Sequence, residues 1–147
     1  VTVITQDAVL ATFDRILRAL TLAVGGIAAI SLAVAGILIM NVMLIAVTQR
    51  RKEIGLLKAI GATSAHIRAA FFTEAIMLAL GGAACGLAVG KLGQLAISQV
   101  FPDIPFTAPW WAVVAAPLTA VVTSVLFTVL PAKRAAALDP VMALSKR

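Results

Sequence analysis

Apolar and polar positions follow one another along this chain in long blocks. From Ala8 to Leu20, the residues Val9, Leu10, Phe13, Ile16, Leu17 and Leu20 fall on one helical stripe, with Asp14, Arg15 and Arg18 off it. That spacing predicts a helical stalk at the water interface. Residues 19–49 then carry no charge. A bilayer crossing needs about 20 apolar residues, so this run predicts a first span that also protrudes. Residues 50–64 break the pattern. Arg50, Arg51, Lys52, Glu53 and Lys58 are polar, while Ile54, Leu57 and Ile60 share one side at helical spacing. Gly61 follows as a helix stop, and Thr63 or Ser64 supplies the cap of the next helix. A helix–Gly–helix corner lying on the membrane surface is the prediction.

Residues 65–90 form the second predicted span. Lys91, Pro102, Asp103, Pro105 and Pro109 make 91–108 a loop, preceded by a short amphipathic piece from Leu92 to Phe101. The third span, 109–131, opens on Trp110 and Trp111, as an aromatic belt at a headgroup boundary does, and should bend at Pro117. In the tail, 132–147, Asp139 is placed to cap a short helix with Pro140 at its first position. Residues 1–7 are β-prone and read as the end of a strand leaving another domain. The chain begins with Val1 rather than methionine, as a processed product or a piece of something larger would.

Composition agrees with a membrane protein. Of the 147 residues, 62% are hydrophobic and 12% charged, against about 45–50% and about 25% in soluble domains. The formal charge of +6 lies at the ends of apolar runs rather than along a groove-sized face, so nucleic acid is not the expected partner. Three spans put the chain's ends on opposite sides. Nine of the 12 basic residues stand in the corner, Arg68 included, and in the tail (Lys133, Arg134, Lys146 and Arg147); Arg15, Arg18 and Lys91 stand on the other side. Basic loops stay cytoplasmic, which orients the chain with its N-terminus outside and its C-terminus inside.

Little in the spans offers chemistry. Cys85 and His66 are each the only residue of their kind, so no internal disulfide forms and no metal cluster is expected. No pair of titratable groups marks an enzyme active site. Gly90-Lys91 has the look of a nucleotide P-loop, but Cys85 stands where the first glycine belongs and Leu92 replaces the Ser or Thr. Glu74 has two readings: an intramembrane carboxylate, or an interfacial one within two turns of Arg68. Asn41 either bonds to a neighbouring helix or lies near the inner headgroups. Gly82, Gly86 and Gly90 recur every four residues, a ridge suited to close helix packing in lipid. On the residues alone, the basic corner sets topology or is gripped by a partner.

The order of residues in that corner is more specific. Arg50-Arg51-Lys52-Glu53-Ile54-Gly55-Leu56-Leu57-Lys58-Ala59-Ile60-Gly61-Ala62 resembles the R-x-x-E-I-G-x-x-[KR]-A-x-G-A signature of the MacB/FtsX-like permeases of ABC transporters. Phe71-Phe72-Thr73-Glu74-Ala75 and the ending Pro131-Ala132-x-x-Ala135-Ala136-x-Leu138-Asp139-Pro140-Val141-x-Ala143-Leu144 match as well, and Gly36 to Leu44 looks like the MacB branch. The resemblance implies an all-α integral membrane fold of three transmembrane helices with a short cytoplasmic amphipathic coupling helix, 1–18 being the end of an extracytoplasmic domain and its stalk. It implies the permease part of an ATP-driven exporter in a bacterial inner membrane, which moves an outer domain to expel drug, peptide or lipoprotein-like substrates. The chain itself would be non-catalytic and bind no cofactor, with ATP and Mg on a separate or fused ATP-binding partner. A second permease copy is implied too, with a periplasmic adaptor or outer-membrane channel as further partners. By the same resemblance, Arg50, Arg51, Glu53, Ile54, Gly55, Leu57, Lys58 and Gly61 form the ATPase-coupling site, with Ile54 and Leu57 as outward anchors. Asn41, Gly82, Gly86 and Gly90 would pack helices. The competing classes are a structural membrane anchor and a secondary-transporter fragment.

Overall fold

The computed structural model describes residues 2–103 and 107–145, with side chains from Thr5 onward. Pro105, Lys146 and Arg147, used above in the loop and the charge count, lie outside them, as does Val1. Five helices follow one another: α1 (Thr2–Gln49), α2 (Arg51–Ala59), α3 (Ser64–Val100), α4 (Trp110–Ala136) and α5 (Pro140–Ser145). α1, α3 and α4 are long and apolar enough to cross a membrane. At 1.5 Å per residue, even α4 is about 40 Å long, beyond the roughly 30 Å of hydrocarbon. The predicted three-span all-α class is the observed one.

Three boundaries move. The strand expected at the start is helix from Thr2. β-branched residues cost a helix only a few tenths of a kcal/mol each, and an amphipathic helix already nucleated at 8–20 gains a hydrogen bond for each residue it adds. α3 does not stop at Gly90 but absorbs Lys91 and the amphipathic piece as far as Val100. A glycine in a helix costs about 1 kcal/mol, less than leaving backbone groups unpaired at the edge of hydrocarbon. α4 likewise runs through Pro131 to Ala136. Pro117 and Pro131 have no N–H, so the carbonyls of Val113 and Phe127 lose their helical donors while the helix continues.

The chain divides into two compact units, the first ending at Ala35 and the second beginning at Gly36. The first is the greater part of α1. Its apolar side chains are exposed, from Val9 and Phe13 on the stalk stripe to Ile27 and Ile30 within the span. A helix apolar on all sides belongs in lipid or in a protein interior. Thr12 and Thr21 return their hydroxyls to the Ala8 and Leu17 carbonyls at 2.8 and 2.9 Å, so their polarity is absorbed by the helix itself.

The second unit is built on the pairing of α3 with α4. They are antiparallel: Ser64 reaches Ala136 at one end, and Ser124 lies against Ala75 further along. Ile67, Phe71, Ala75 and Ala79 form the buried face of α3, a ridge of four-residue spacing. Ser124 and Thr128 of α4 are fully buried. The Ser124 hydroxyl donates to the Ala75 carbonyl at 2.9 Å, and Thr128 to Ser124 at 2.7 Å, so neither hydroxyl is left unpaired. The last part of α1 joins through Met43 and Val47, both buried. Gly36 lies flat against the Phe127 ring, where any Cβ would collide with it.

Candidate functional site

α1 ends at Gln49, but its hydrogen-bonding runs on through the corner. Arg50 N–H donates to the Ala46 carbonyl at 2.9 Å, and the Arg50 carbonyl accepts from Ile54 N–H at 3.0 Å. α2 is therefore a turned continuation of α1. It ends as predicted: Gly61 has φ +104°, a left-handed value that strains any residue bearing a Cβ. Ala62 N–H bonds the Leu57 carbonyl at 2.9 Å and Gly61 N–H bonds Lys58 at 3.1 Å. Those are the two bonds of a Schellman stop. Thr63, rather than Ser64, caps α3, its hydroxyl accepting from His66 N–H at 3.3 Å.

α2 is held against the ends of all three long helices. Ile54, 5% exposed, packs in one cluster with Met43 and Val47 of α1, Ile67 and Phe71 of α3, and Ala132 and Ala135 of α4. The Lys58 ammonium donates to the carbonyls of Ala136 and Leu138, the latter at 2.8 Å. Ser64 Oγ also donates to Ala136, at 3.2 Å. Ala136 carries an orphan carbonyl at the end of α4 and Leu138 lies two residues past it, a helix C-terminus that a cation suits best. α5 packs on the side of α2. A Cβ at Gly55 would stand 2.8 Å from the Ala143 Cβ, so Gly55 is what lets the two backbones approach. Asp139 caps α5 as expected, accepting from Val141 N–H at 3.0 Å.

The structure therefore redistributes the residues assigned to the corner. Ile54, Gly55 and Lys58 face inward, and Ile54 is not an outward anchor: its side of α2 covers the apolar ends of α1, α3 and α4. Leu57 is 48% exposed, and Leu56 and Ile60 more so, at 56% and 75%. Arg51 and Glu53 are exposed. Arg50 pairs with Glu74, Nη1 to Oε2 at 3.5 Å. Outside the corner, a Cβ at Gly82, Gly86 or Gly90 would meet nothing within 4 Å. The ridge lies beside the face of α3 that α4 covers. Asn41 is exposed and has no hydrogen-bond partner among the described residues.

Sequence reasoning missed Leu56, which falls off the 54/57/60 stripe. It also missed Ser64 and Lys58 as ligands of the α4 terminus. The signal for Lys58 was faint: a lone cation at the end of a short helix, opposite a helix that must end somewhere.

A corner locked to three spans is a recognisable arrangement, and the sequence profile of the FtsX-like permease C-terminal family matches residues 25–140, most of the chain. The chain belongs to this family. The FtsX-like segment is 37% identical over 142 residues to the ABC transporter permease YknZ of Bacillus subtilis, covering 97% of this chain and 36% of that one. It is 46% identical over 133 residues to the pyoverdine export ATP-binding/permease protein PvdT of Pseudomonas savastanoi pv. phaseolicola, covering 89% of this chain and 20% of that one. To the macrolide export ATP-binding/permease protein MacB of Escherichia coli K12 it is 39% identical over 141 residues, 96% of this chain and 22% of that one. The FtsX-like segment thus spans between a fifth and about a third of the length of these relatives. With three apolar helices in a membrane permease family, it is a multi-pass membrane protein.

Proposed function

We propose that this segment is the non-catalytic transmembrane part of an ATP-driven ABC exporter, with α2 as the coupling helix that docks on an ATP-binding subunit or domain. The observation that carries the reading is the attachment of α2 to the ends of α1, α3 and α4 at once, through Ile54 and Lys58. A loop that only set topology would need no such attachment. A force applied to α2 reaches every span. ATP and Mg belong to the partner, and the cargo is a drug, peptide or lipoprotein-like molecule moved by the outer domain rather than through the spans. The outward residues Leu56, Leu57 and Ile60 are the anchors for the ATPase, with Arg51 and Glu53 at their rim. The open ridge of Gly82, Gly86 and Gly90 is left for a second permease copy.

Truncating or charging a central anchor costs about 2 kcal/mol or more, roughly thirtyfold in binding. Leu56→Asp and Ile60→Asp should each weaken ATPase binding by about that factor in the full-length transporter, at normal membrane abundance. Cysteine at Ile60 should crosslink to the ATPase in a nucleotide-dependent way. Wild-type ATPase affinity in both variants, with no crosslink, would leave the membrane-anchor and secondary-transporter readings.

Orientation is proposed on the same basis as the charge count: corner and tail in the cytoplasm of a bacterial inner membrane, stalk outside. In a Cys85→Ser background, cysteines at Ser98 and Ser145 should react with an impermeant thiol reagent from opposite sides. Labelling of both from one side would refute it.

A further inference from the structure

Glu74 is the one charged residue in the apolar run 69–90 of α3, ten residues after Ser64. An ionisable side chain within the apolar run of a membrane helix is usually functional, and its partner is the first thing to identify. The partner is Arg50, 3.5 Å away, in the one ion pair found among the described residues. Arg50 is also the residue at which α1 turns into α2. Arg50, Glu74 and Glu53 border one small cavity of about 130 Å³, walled by Ile54, Leu57, Ile67 and Phe71. Carboxylates from two elements, α2 and α3, thus line the cavity that Arg50 borders.

Ile54 packs α2 on the helix ends and Lys58 ties it to the end of α4, but neither contact is a charged tie to α3. The charged tie to α3 is Arg50 on Glu74, a single Nη1–Oε2 contact at 3.5 Å between side chains 54% and 39% exposed. We propose that Arg50 and Glu74 are a positioning pair that carries displacement of the corner into α3. When α2 is displaced, Arg50 pulls on a side chain anchored nearly three turns up α3 rather than at its first turn. Glu53, one turn further along α2, is the second carboxylate within the same cavity and receives Arg50 when the tie to Glu74 is released. The pair sits beside the buried contacts, which fix where α2 lies, and sets how its motion is passed on.

This inference rests on the coupling reading above, and its test separates the two. A fluorophore on Val100→Cys, at the exposed far end of α3, is placed in the full-length transporter with its ATPase and in a Cys85→Ser background. The readout is the fluorescence change on adding ATP and vanadate. Glu74→Gln and Arg50→Gln should each reduce its amplitude roughly 1.5- to fivefold, the range expected for one exposed charge pair. Membrane abundance and the Ile60 crosslink to the ATPase should stay at wild-type levels. The double Gln variant should be no worse than either single, and the exchanged pair, Arg50→Glu with Glu74→Arg, should return the amplitude to within about twofold of wild type. Unchanged amplitude in the single variants, additive losses in the double variant, or failure of the exchange to restore the signal overturns the pair while leaving the coupling reading standing. Losses matched by lost abundance overturn it as well, since they describe a fold defect. Absence of the Ile60 crosslink in the wild type overturns the coupling reading and this inference with it.

Discussion

Gly55→Leu is expected to detach α5 from α2 without unfolding the three spans. Even the first atom of the new side chain would stand 2.8 Å from the Ala143 Cβ, and behind it lie the Pro140 carbonyl and Leu144 at 3.6 and 3.7 Å. No rotamer of leucine avoids a contact made by its own Cβ, so backbone must move. Overpacking of this kind costs about 1–3 kcal/mol. α5 is six residues long and rests on α2 through the buried Ala143, so it yields first, before the α3–α4 pair. The measurement is hydrogen exchange over residues 138–145, where Ala143 N–H is bonded to the Asp139 carbonyl at 2.9 Å. Exchange there should accelerate roughly 5- to 150-fold, the equivalent of 1–3 kcal/mol, while residues 67–79 of α3 keep their protection. Gly55→Ala should give the same effect in smaller degree. Wild-type exchange in Gly55→Leu would show that α5 does not seat on this glycine.

That glycine also shows what a sequence can and cannot say. Gly55 was readable as a place of close approach, but the partner was taken to be another protein. It is the protein's own α5, some ninety residues further along. The features written in local order came through: three apolar runs, the Gly61 stop, a Thr63 or Ser64 cap, and Asp139 before Pro140. Each depends on residues within one or two turns of one another. What failed depended on distant contacts. Ile54 sits on the only apolar stripe of a charged helix, and that stripe serves a partner protein or the chain's own core equally well. The ends of α1, α3 and α4 supply that core. Nearness to Arg68 in sequence says only that Glu74 lies near the interface, whereas the bend at Arg50 brings it a cation from another helix. The helix limits at Thr2, Val100 and Ala136 were misjudged because propensity is weak beside the need to pair backbone groups near lipid.

Lys58→Met should destabilise the permease by itself, in detergent and with no ATPase present. Methionine keeps the apolar stem that packs along the corner and removes only the ammonium. The Leu138 carbonyl then loses its donor, and the Ala136 carbonyl retains only Ser64 Oγ at 3.2 Å. A hydrogen bond to a charged group contributes about 1.5–3 kcal/mol, and leaving a partly buried acceptor unpaired costs about as much as breaking the bond returns to it. The attraction of a cation to the end of α4 is lost as well. A drop of roughly 1–3 kcal/mol should therefore appear in the unfolding of the isolated protein, and Ser64→Ala on top of it should deepen the loss by removing the last donor to Ala136. Had Lys58 projected toward an ATPase, as its place in the corner signature implied, the result would be reversed: normal stability alone and weakened binding to the partner. Thermal unfolding of Lys58→Met beside its ATPase affinity distinguishes the two. Full stability with lost affinity would mean that Lys58 faces outward and that α2 is not tied to α4 through it.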